Sequence, residues 1–555
     1  MTSLPNLWQG FLPGRSQKRD ISVESATTTT ELTRLPGLEV AEAKPELRPE
    51  HWIERGPSKR LMLFSGRSHP ELAQRIADKL GIQVGDVSLR TFASGETYCR
   101  YEESIRGADL FIVQTSSPPV DQHLMELLIM IDAAKLASAK RITAVVPLYP
   151  YSRQDKKSRP REPITAKLVA EMIQSAGADR VLTMDLHAGQ VQGFFEVPVD
   201  HMTALPMLAQ YFRDLGLPEE LVAVAPDTGR TRLASKFAEM IGGDLAVLQK
   251  DRPAHNVAHI TNQVGDVSLR TFASGETYCR YEESIRGADL FIVQTSSPPV
   301  DQHLMELLIM IDAAKLASAK RITAVVPLYP YSRQDKKSRP REPITAKLVA
   351  EMIQSAGADR VLTMDLHAGQ VQGFFEVPVD HMTALPMLAQ YFRDLGLPEE
   401  LVAVAPDTGR TRLASKFAEM IGGDLAVLQK DRPAHNVAHI TNVIGDVDGK
   451  CAVMTDDMVD TAGTLVAGAQ FLKERGAKKV YACATHGIFS PPAIERIEES
   501  PLDSVVVTDT VPIDPLRKPE RVTVLTVADI LAETIHNVFA DDSVSAIFGD
   551  MNALF

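Results

Sequence analysis

Cysteine is scarce in this chain: Cys99, Cys279, Cys451 and Cys483 are the only four in 555 residues. None forms a Cys-x-x-Cys pair, so a disulfide framework is excluded and a reducing, cytoplasmic setting is expected. No apolar run approaches the ~20 residues that cross a bilayer, which excludes an ordinary membrane-spanning helix. Positive charge is also in short supply, with 59 Lys and Arg against 72 Asp and Glu and a net charge of −13. A general nucleic-acid binder is therefore not expected, and any phosphate chemistry must rely on local clusters of cations. What remains, 44% hydrophobic and 24% charged residues, is ordinary globular usage.

What the sequence has in excess is itself. Residues 83–262 recur without a substitution as 263–442, an offset of 180. Structural repeats have periods of roughly 20–50 residues and imperfect copies. A verbatim block of this length instead marks a recent in-frame duplication, an engineered chain or a fault of sequence assembly.

Residues 1–58 contain both tryptophans, Trp8 and Trp52, a threonine run at 27–30 and no sustained periodicity. A disordered leader is expected there. Arg15, Lys18 and Arg19 sit in an acid-free opening, as in an organelle presequence, but glutamates follow soon after. From Lys59 onward the chain alternates short apolar strands (61–64, 110–113, 142–146, 181–184, 221–225, 245–248, 452–454, 480–484) with helical runs. Those runs are 70–80, 123–139, 164–176, 231–240, 464–474 and 528–538. The alternation predicts an α/β fold with doubly wound parallel sheets, whose ligands collect beyond the carboxyl ends of the strands.

One such strand end carries Thr455-Asp456-Asp457-Met458-Val459-Asp460-Thr461-Ala462-Gly463-Thr464. Amides at a helix start and the hydroxyls of Thr461 and Thr464 suit a phosphate, and the acids suit the vicinal hydroxyls of a ribose. An acidic N-cap cluster serving the helix dipole is the plainer alternative. Between Arg153 and Arg161 lie Lys156, Lys157 and Arg159, five cations able to close over a polyphosphate or simply to face solvent. Phe92–Glu96 fits any exposed turn. Asp185 and His187 share a strand end and by alternation point the same way. Lys250 and Arg252 flank Asp251 just past an apolar strand and share a side.

Taken in order, these segments resemble ribose-phosphate pyrophosphokinase, the phosphoribosyl-pyrophosphate synthetase family. The resemblance rests on Phe92-Ala93-Ser94-Gly95-Glu96, Tyr151–Lys157, Met184-Asp185-Leu186-His187-Ala188, Ala225–Arg230, the 455–464 loop and the ending Ser543–Phe548. With one copy removed it runs from about Lys59 to Phe548. It implies tandem phosphoribosyltransferase-like domains that move diphosphate from Mg²⁺–ATP to the 1-hydroxyl of ribose 5-phosphate, giving 5-phosphoribosyl 1-diphosphate and AMP. Such a transfer needs alignment and charge neutralisation rather than a protein nucleophile.

The same resemblance assigns roles residue by residue. ATP contacts are implied for Arg153 and Gln154 and their copies Arg333 and Gln334. Ser94, Gly95 and Glu96, with the copies Ser274, Gly275 and Glu276, match a segment that meets the adenine held by a neighbouring subunit. Lys430 and Lys250 match a catalytic cation. Arg432, Arg252, Asp456, Asp460, Thr461, Ala462, Gly463 and Thr464 match the ribose-5-phosphate site. His187, Asp227, His367 and Asp407 match Mg²⁺ ligands, the aspartates more convincingly than the histidines because Mg²⁺ favours oxygen. Asp227-Thr228-Gly229-Arg230 departs from the usual Asp-x-Gly-Gly turn, and Arg230 is a candidate phosphate contact. A homo-oligomer, hexameric in the family and disturbed here by the duplication, is implied, with phosphate or nucleotide effectors.

The duplication then divides the chain into a leader (1–58), a complete first, ATP-side domain (59–200) and a truncated second domain (201–262). A first domain lacking its opening strand and helix (263–380) follows, then a complete second, ribose-5-phosphate-side domain (381–548). Only one sugar-phosphate loop exists, so at most one complete site per chain is expected. Continuity favours Asp407, Lys430 and Arg432 over Asp227, Lys250 and Arg252 within it. The stretch 201–380 is expected to be the least stable unless it borrows surface from its twin. Two other functions stay open: a catalytically silent regulatory subunit of the family, and a type I phosphoribosyltransferase.

Overall fold

A computed structural model of the chain describes residues 60–157, 159–214, 221–225, 231–247, 264–398, 400–434, 437–514 and 519–544. The leader and the expected site residues Asp227, Lys250 and Arg252 lie outside these, as do the side chains of Lys430 and Arg432.

The first copy opens with β1 (Leu61–Ser65) and α1 (Pro70–Leu80). Proline at the helix start and Gly81 at its end, in the left-handed region at φ 67°, bound α1 as the sequence leads one to expect. A hairpin of β2 (Val87–Thr91) and β3 (Thr97–Tyr101) follows. Then come β4 (Asp109–Val113), α2 (Val120–Leu136), β5 (Arg141–Val146), α3 (Thr165–Ala176), β6 (Arg180–Met184) and β7 (Val199–Met202). The five long-range strands form one parallel sheet in the order β1-β4-β5-β6-β7. Thus β1 is an edge strand rather than the central one that a doubly wound sheet suggests. Four further elements complete the first copy: α4 (Leu205–Asp214), β8 (Val222–Ala225), α5 (Thr231–Ile241) and β9 (Asp244–Val247). Among the described residues they contribute a sheet of two strands.

The second copy repeats the hairpin as β10 (Val267–Thr271) and β11 (Thr277–Tyr281). A four-stranded parallel sheet comes next, from β12 (Asp289–Val293), α6 (Val300–Leu316), β13 (Arg321–Val326), α7 (Thr345–Ala356), β14 (Arg360–Met364) and β15 (Val379–Met382). With no partner for β12 on that side, Val293 is 58% exposed where its twin Val113 is 2% exposed.

The remainder builds a seven-stranded sheet. Its elements are α8 (Leu385–Asp394), β16 (Leu401–Ala405), α9 (Thr411–Ile421), β17 (Asp424–Ala434), β18 (Val437–Ile444), β19 (Cys451–Val459), α10 (Gly463–Glu474), β20 (Lys479–Gly487), α11 (Ala493–Glu498), β21 (Ser504–Thr508), β22 (Val522–Leu525) and α12 (Ala528–Phe539). The strand order is β18-β17-β16-β19-β20-β21-β22, parallel except for the antiparallel edge pair β17–β18. Here β16 sits between β17 and β19, and Val402 and Val404 are 0% exposed. Their sequence twins Val222 and Val224 in the two-stranded remnant are 54% and 53% exposed.

Apolar exposure is uneven along 201–380. Among the described residues Met207, Tyr211, Val222, Val224 and Leu245 are exposed before 247. After 264, α6 and α7 are largely buried, and exposed apolar side chains such as Val293 sit on the β12 edge and around the hairpin. One apolar core runs through both copies, from Met62 to Val371, and packs α2 and α3 with α6 and α7. Helix α2 is apolar nearly all round, the signature of a helix buried on every side, and its last covering face comes from the twin.

Candidate functional site

The site gathers around β19. Sequence alone suggests that the strand stops at its paired acids, but it runs through them to Val459, with Asp456 and Asp457 inside it. They are fixed there by parallel pairing, Asp456 opposite Ala484. The Asp460–Ala462 turn follows. Ala462 takes φ 57°, a costly region for a residue with a Cβ, and opens α10 at Gly463. The Thr461 carbonyl accepts from Arg496 Nη1 at 2.9 Å.

Residues from far apart in the chain meet these acids. After β14, Asp365 turns the backbone at φ 37°, so the alternation expected to align Asp365 with His367 is broken. Asp365 is buried and accepts from the Thr383 hydroxyl (2.7 Å), the Ala384 amide (2.8 Å) and the Thr485 hydroxyl (2.6 Å). Those bonds, with His486 Nε2 donating to the Met364 carbonyl at 3.0 Å, fasten the four-stranded and seven-stranded sheets together. His367 instead faces Asp457, with Nδ1 2.8 Å from its Oδ2.

Arg410 closes the cluster. Its Nε lies 3.0 Å from Asp456 Oδ1 and its Nη2 lies 2.6 Å from Asp457 Oδ1 and 2.7 Å from His367 Nδ1. A short 3₁₀ turn delivers it, capped by Asp407, whose carboxylate accepts from the Gly409 amide at 3.0 Å. This is the Asp-Thr-Gly-Arg departure from the usual turn. The sequence reading weighs its arginine only as a phosphate contact, because nothing local shows that Arg410 reaches acids 46 and 47 residues away. Burial raises the Asp457 carboxyl, but the His367 hydrogen bond and the Arg410 charge outweigh it and hold Asp457 below the usual carboxylate range. Burial and the charge of Asp457 push Asp456 the other way.

Arg333 forms the next link, 2.8 Å from Asp460 Oδ2. On its other side, 4.0 Å away, is Glu96 Oε2, which belongs to the hairpin of the first copy. Ser94 and Glu96 are buried, not part of an exposed turn. Glu96 Oε1 accepts from the Tyr331 amide at 2.6 Å, and burial raises its pKa despite Arg333 nearby. Ser94 and Glu96, Arg333, Leu328, Met458 and Ile488 line one small pocket. Asp460 Oδ1 is buried with no hydrogen-bond partner, an acceptor left for a ligand.

Among the described residues, the first copy's equivalents do not converge in this way. Asp185 and His187 end β6 exposed to solvent, without a counterpart of β19. Arg153 meets Ser274 Oγ (3.1 Å) and Glu276 (3.4 Å) of the second copy's hairpin, and Gln154 Nε2 donates to the Thr277 carbonyl at 3.1 Å. In β17 the backbone at Lys430 and Arg432 continues as strand, with register shifts at Gln429/Lys430 and Asp431/Ala434, rather than lying past a strand end.

Among the described residues no three His, Cys, Asp or Glu side chains are arranged to cage a metal. A Mg²⁺ ion arriving with nucleotide uses one or two carboxylates and otherwise phosphate and water oxygens, a need that the Asp407 carboxylate at the cap of the 3₁₀ turn suits. No helix among the described residues is long and apolar enough to cross a membrane.

Comparison with known proteins points to one family. The family model for the N-terminal domain of ribose phosphate pyrophosphokinase matches twice, at 61–177 and 243–357, and the phosphoribosyl synthetase-associated domain matches 426–549. A ribose-phosphate pyrophosphokinase of Staphylococcus saprophyticus is 50% identical over 293 residues, covering 52% of this chain and 91% of the relative. One from Caldanaerobacter subterraneus is 51% identical over 290 residues, covering 52% and 92%. A solved phosphoribosylpyrophosphate synthetase from Mycobacterium smegmatis is 30% identical, covers 87% of this chain and all of its own, and has a TM-score of 0.27. The relatives are spanned almost end to end. The chain belongs to the ribose-phosphate pyrophosphokinase family.

Proposed function

We propose that the chain transfers diphosphate from Mg²⁺–ATP to ribose 5-phosphate at a single site built around β19. The 1-hydroxyl oxygen attacks the β-phosphorus, the bond from that phosphorus to the α–β bridging oxygen breaks, and AMP leaves. The observation that carries this reading is the meeting of His367, Arg410, Arg333 and Glu96 with the acids of the only sugar-phosphate loop. A silent subunit and a phosphoribosyltransferase are both less favoured, because neither requires the nucleotide-side residues to converge on that loop.

In this reading Asp456, Asp460 and the turn Thr461-Ala462-Gly463-Thr464 hold ribose 5-phosphate, with Arg432 adding charge. Lys430 and Arg333 neutralise the moving phosphates, and Gln334, Ser94, Gly95 and Glu96 hold the nucleotide. Asp407 and His367 would bind Mg²⁺, which supplies charge neutralisation at the transferred group. Arg410 fixes the two acids and His367 in one arrangement before substrate arrives, which is where alignment saves activation free energy. Arg153, Gln154, Ser274, Gly275 and Glu276 form a second nucleotide half without a sugar-phosphate loop, and the first-copy residues Lys250, Arg252, Asp227 and His187 are not part of the working site. This reading takes the enzyme to be cytoplasmic, which its unpaired cysteines support, and able to assemble with like chains and to respond to phosphate or nucleotide effectors.

The test is AMP and 5-phosphoribosyl 1-diphosphate formation by the purified chain from Mg²⁺–ATP and ribose 5-phosphate, with no nucleobase present. Replacing Asp456 and Asp460 by Asn should raise the KM for ribose 5-phosphate at least tenfold, about 1.4 kcal/mol, while ATP binding stays measurable. Lost ATP affinity with normal ribose 5-phosphate affinity would overturn these roles.

A further inference from the structure

Equivalent residues of the two copies face each other. Ser175 Oγ lies 3.1 Å from Ser355 Oγ, its own twin, which places a local two-fold axis between α3 and α7. The main hairpin contacts then occur twice, although Thr277 Oγ1 meets Asp121 at 3.5 Å while its twin Thr97 Oγ1 has no hydrogen-bond partner among the described residues. The Thr97 amide donates to the Tyr331 hydroxyl at 3.1 Å, and Thr277 donates to Tyr151 at 3.1 Å. Tyr98 donates to Glu342 at 2.7 Å, and Tyr278 donates to Glu162 at 2.9 Å. Arg341 Nε donates to the Tyr101 carbonyl at 2.6 Å, and Arg161 to that of Tyr281 at 2.9 Å. Each copy thus lends its hairpin to the other, as two subunits of an isologous dimer do. The exchange is symmetric, but the acid loop is not. The second copy's pocket, into which the first copy's hairpin reaches, has Met458 of β19 in its lining and its Arg333 bound to Asp460.

We infer that the duplicated block makes the chain its own partner: the hairpin of the first copy completes the nucleotide pocket of the second in cis. The active unit is then one polypeptide, and Glu96 and Glu276 have unequal duties despite matching backbone contacts to the opposite copy. Glu96 positions nucleotide beside the acid loop. Glu276 does the same only in the mirror pocket with Arg153, which has no ribose-5-phosphate loop and holds nucleotide without turnover. The inference rests on the proposed diphosphate transfer for its kinetic reading, but not for its binding reading.

The two glutamates make their own control. Both are buried, and both accept a backbone amide from the opposite copy, Tyr331 at 2.6 Å and Tyr151 at 2.8 Å. Purely structural damage from Glu96→Ala and Glu276→Ala is therefore similar, the difference lying in the arginine beside each, Arg333 at 4.0 Å, bound to Asp460, and Arg153 at 3.4 Å. The expected result is a KM for ATP raised about tenfold in Glu96→Ala, the size of a lost hydrogen bond to a charged group. The rise in Glu276→Ala should be several times smaller, and kcat should fall less than KM rises in both. Glu96→Gln, nearly isosteric, should recover part of the affinity. Equal effects, or a larger one at Glu276, would overturn the inference. Specific activity of the unaltered chain, assayed while sedimentation shows single chains, should not change on further dilution; activity falling with dilution would also overturn it. ATP titration by calorimetry separates the two readings. Should the unaltered chain make no AMP, the proposed reaction fails, yet ATP binding at two sites, weakened separately by the two variants, would still uphold completion in cis. One site, or two sites weakened alike by either variant, would defeat it.

Discussion

At the scale of single residues, Arg410 holds together groups that would otherwise repel or go unpaired. Asp456 and Asp457 are adjacent carboxylates in one strand, and Arg410 touches both while reaching His367. Removing one partner of a buried ion pair leaves the other charge stranded, at a cost of about 3 kcal/mol or more. Arg410→Ala should therefore lower thermal stability by that order and cut kcat/KM for ribose 5-phosphate at least a hundredfold; a melting midpoint unchanged within error would refute it. Much of this cluster was legible in advance. Asp456, Asp460 and His367 stand in recognisable motifs, and a strand ending in acids before a small-residue turn is a local pattern. Arg410 was not, because its partners are close only once β14, β16 and β19 are assembled.

Among the elements, the strand–helix alternation was readable because a parallel strand between helices carries its apolar run in its own sequence. Helix α1 spans the very residues expected, since proline and glycine punctuate it. The hairpin β2–β3 was not readable, and the reason is physical. Thr97, Cys99 and Tyr101 are buried on alternate positions, but part of their cover comes from the other copy, which no local window contains. The antiparallel β17–β18 pair, too, was missed because charged residues interrupt its apolar run. Identical elements in different company give a direct experiment. Strands β8 and β16 have the same sequence over Val222–Ala225 and 402–405, one in a two-stranded remnant and one inside seven strands. Hydrogen exchange followed by mass spectrometry cannot tell their peptides apart, so each such peptide should show two isotope envelopes of equal size, one exchanging early. Peptides shared by α2 and α6 should show a single envelope, both helices being buried. One envelope for the 222–225 peptide would mean that the remnant is as well protected as its twin.

For the whole molecule, the surface between the copies is unusually rich in buried carboxyls. Burial raises Asp301 to about 8 and Asp121 to about 7, against a hydrogen bond from Tyr331 or Tyr151 that favours the charged form. Asp132 and Asp312, each accepting an amide from the opposite copy at 3.2 Å, are raised by burial to about 6. The sign follows from which state gives up its proton first. Below pH 3.8 both states hold the protons; as pH rises the unfolded chain releases them while the folded one keeps them, so stability drains away until about pH 8. The melting midpoint of the unaltered chain should fall between pH 5 and 8 more steeply than that of Asp301→Asn, which keeps the Tyr331 hydrogen bond but cannot ionise. Parallel curves for the two proteins would count against this.

The near-contact of Ser175 with Ser355 has a consequence for how such a chain changes over generations. In a dimer of identical subunits every mutation is made twice, once on each side of the axis, and any harm is felt at both. Here the two sides are written separately in one chain. A change at Ser355, or in the β10–β11 hairpin, alters one half and leaves its mate as it was. The halves are thus free to drift into different trades, the one that reaches the acid loop held to its sequence and the other released.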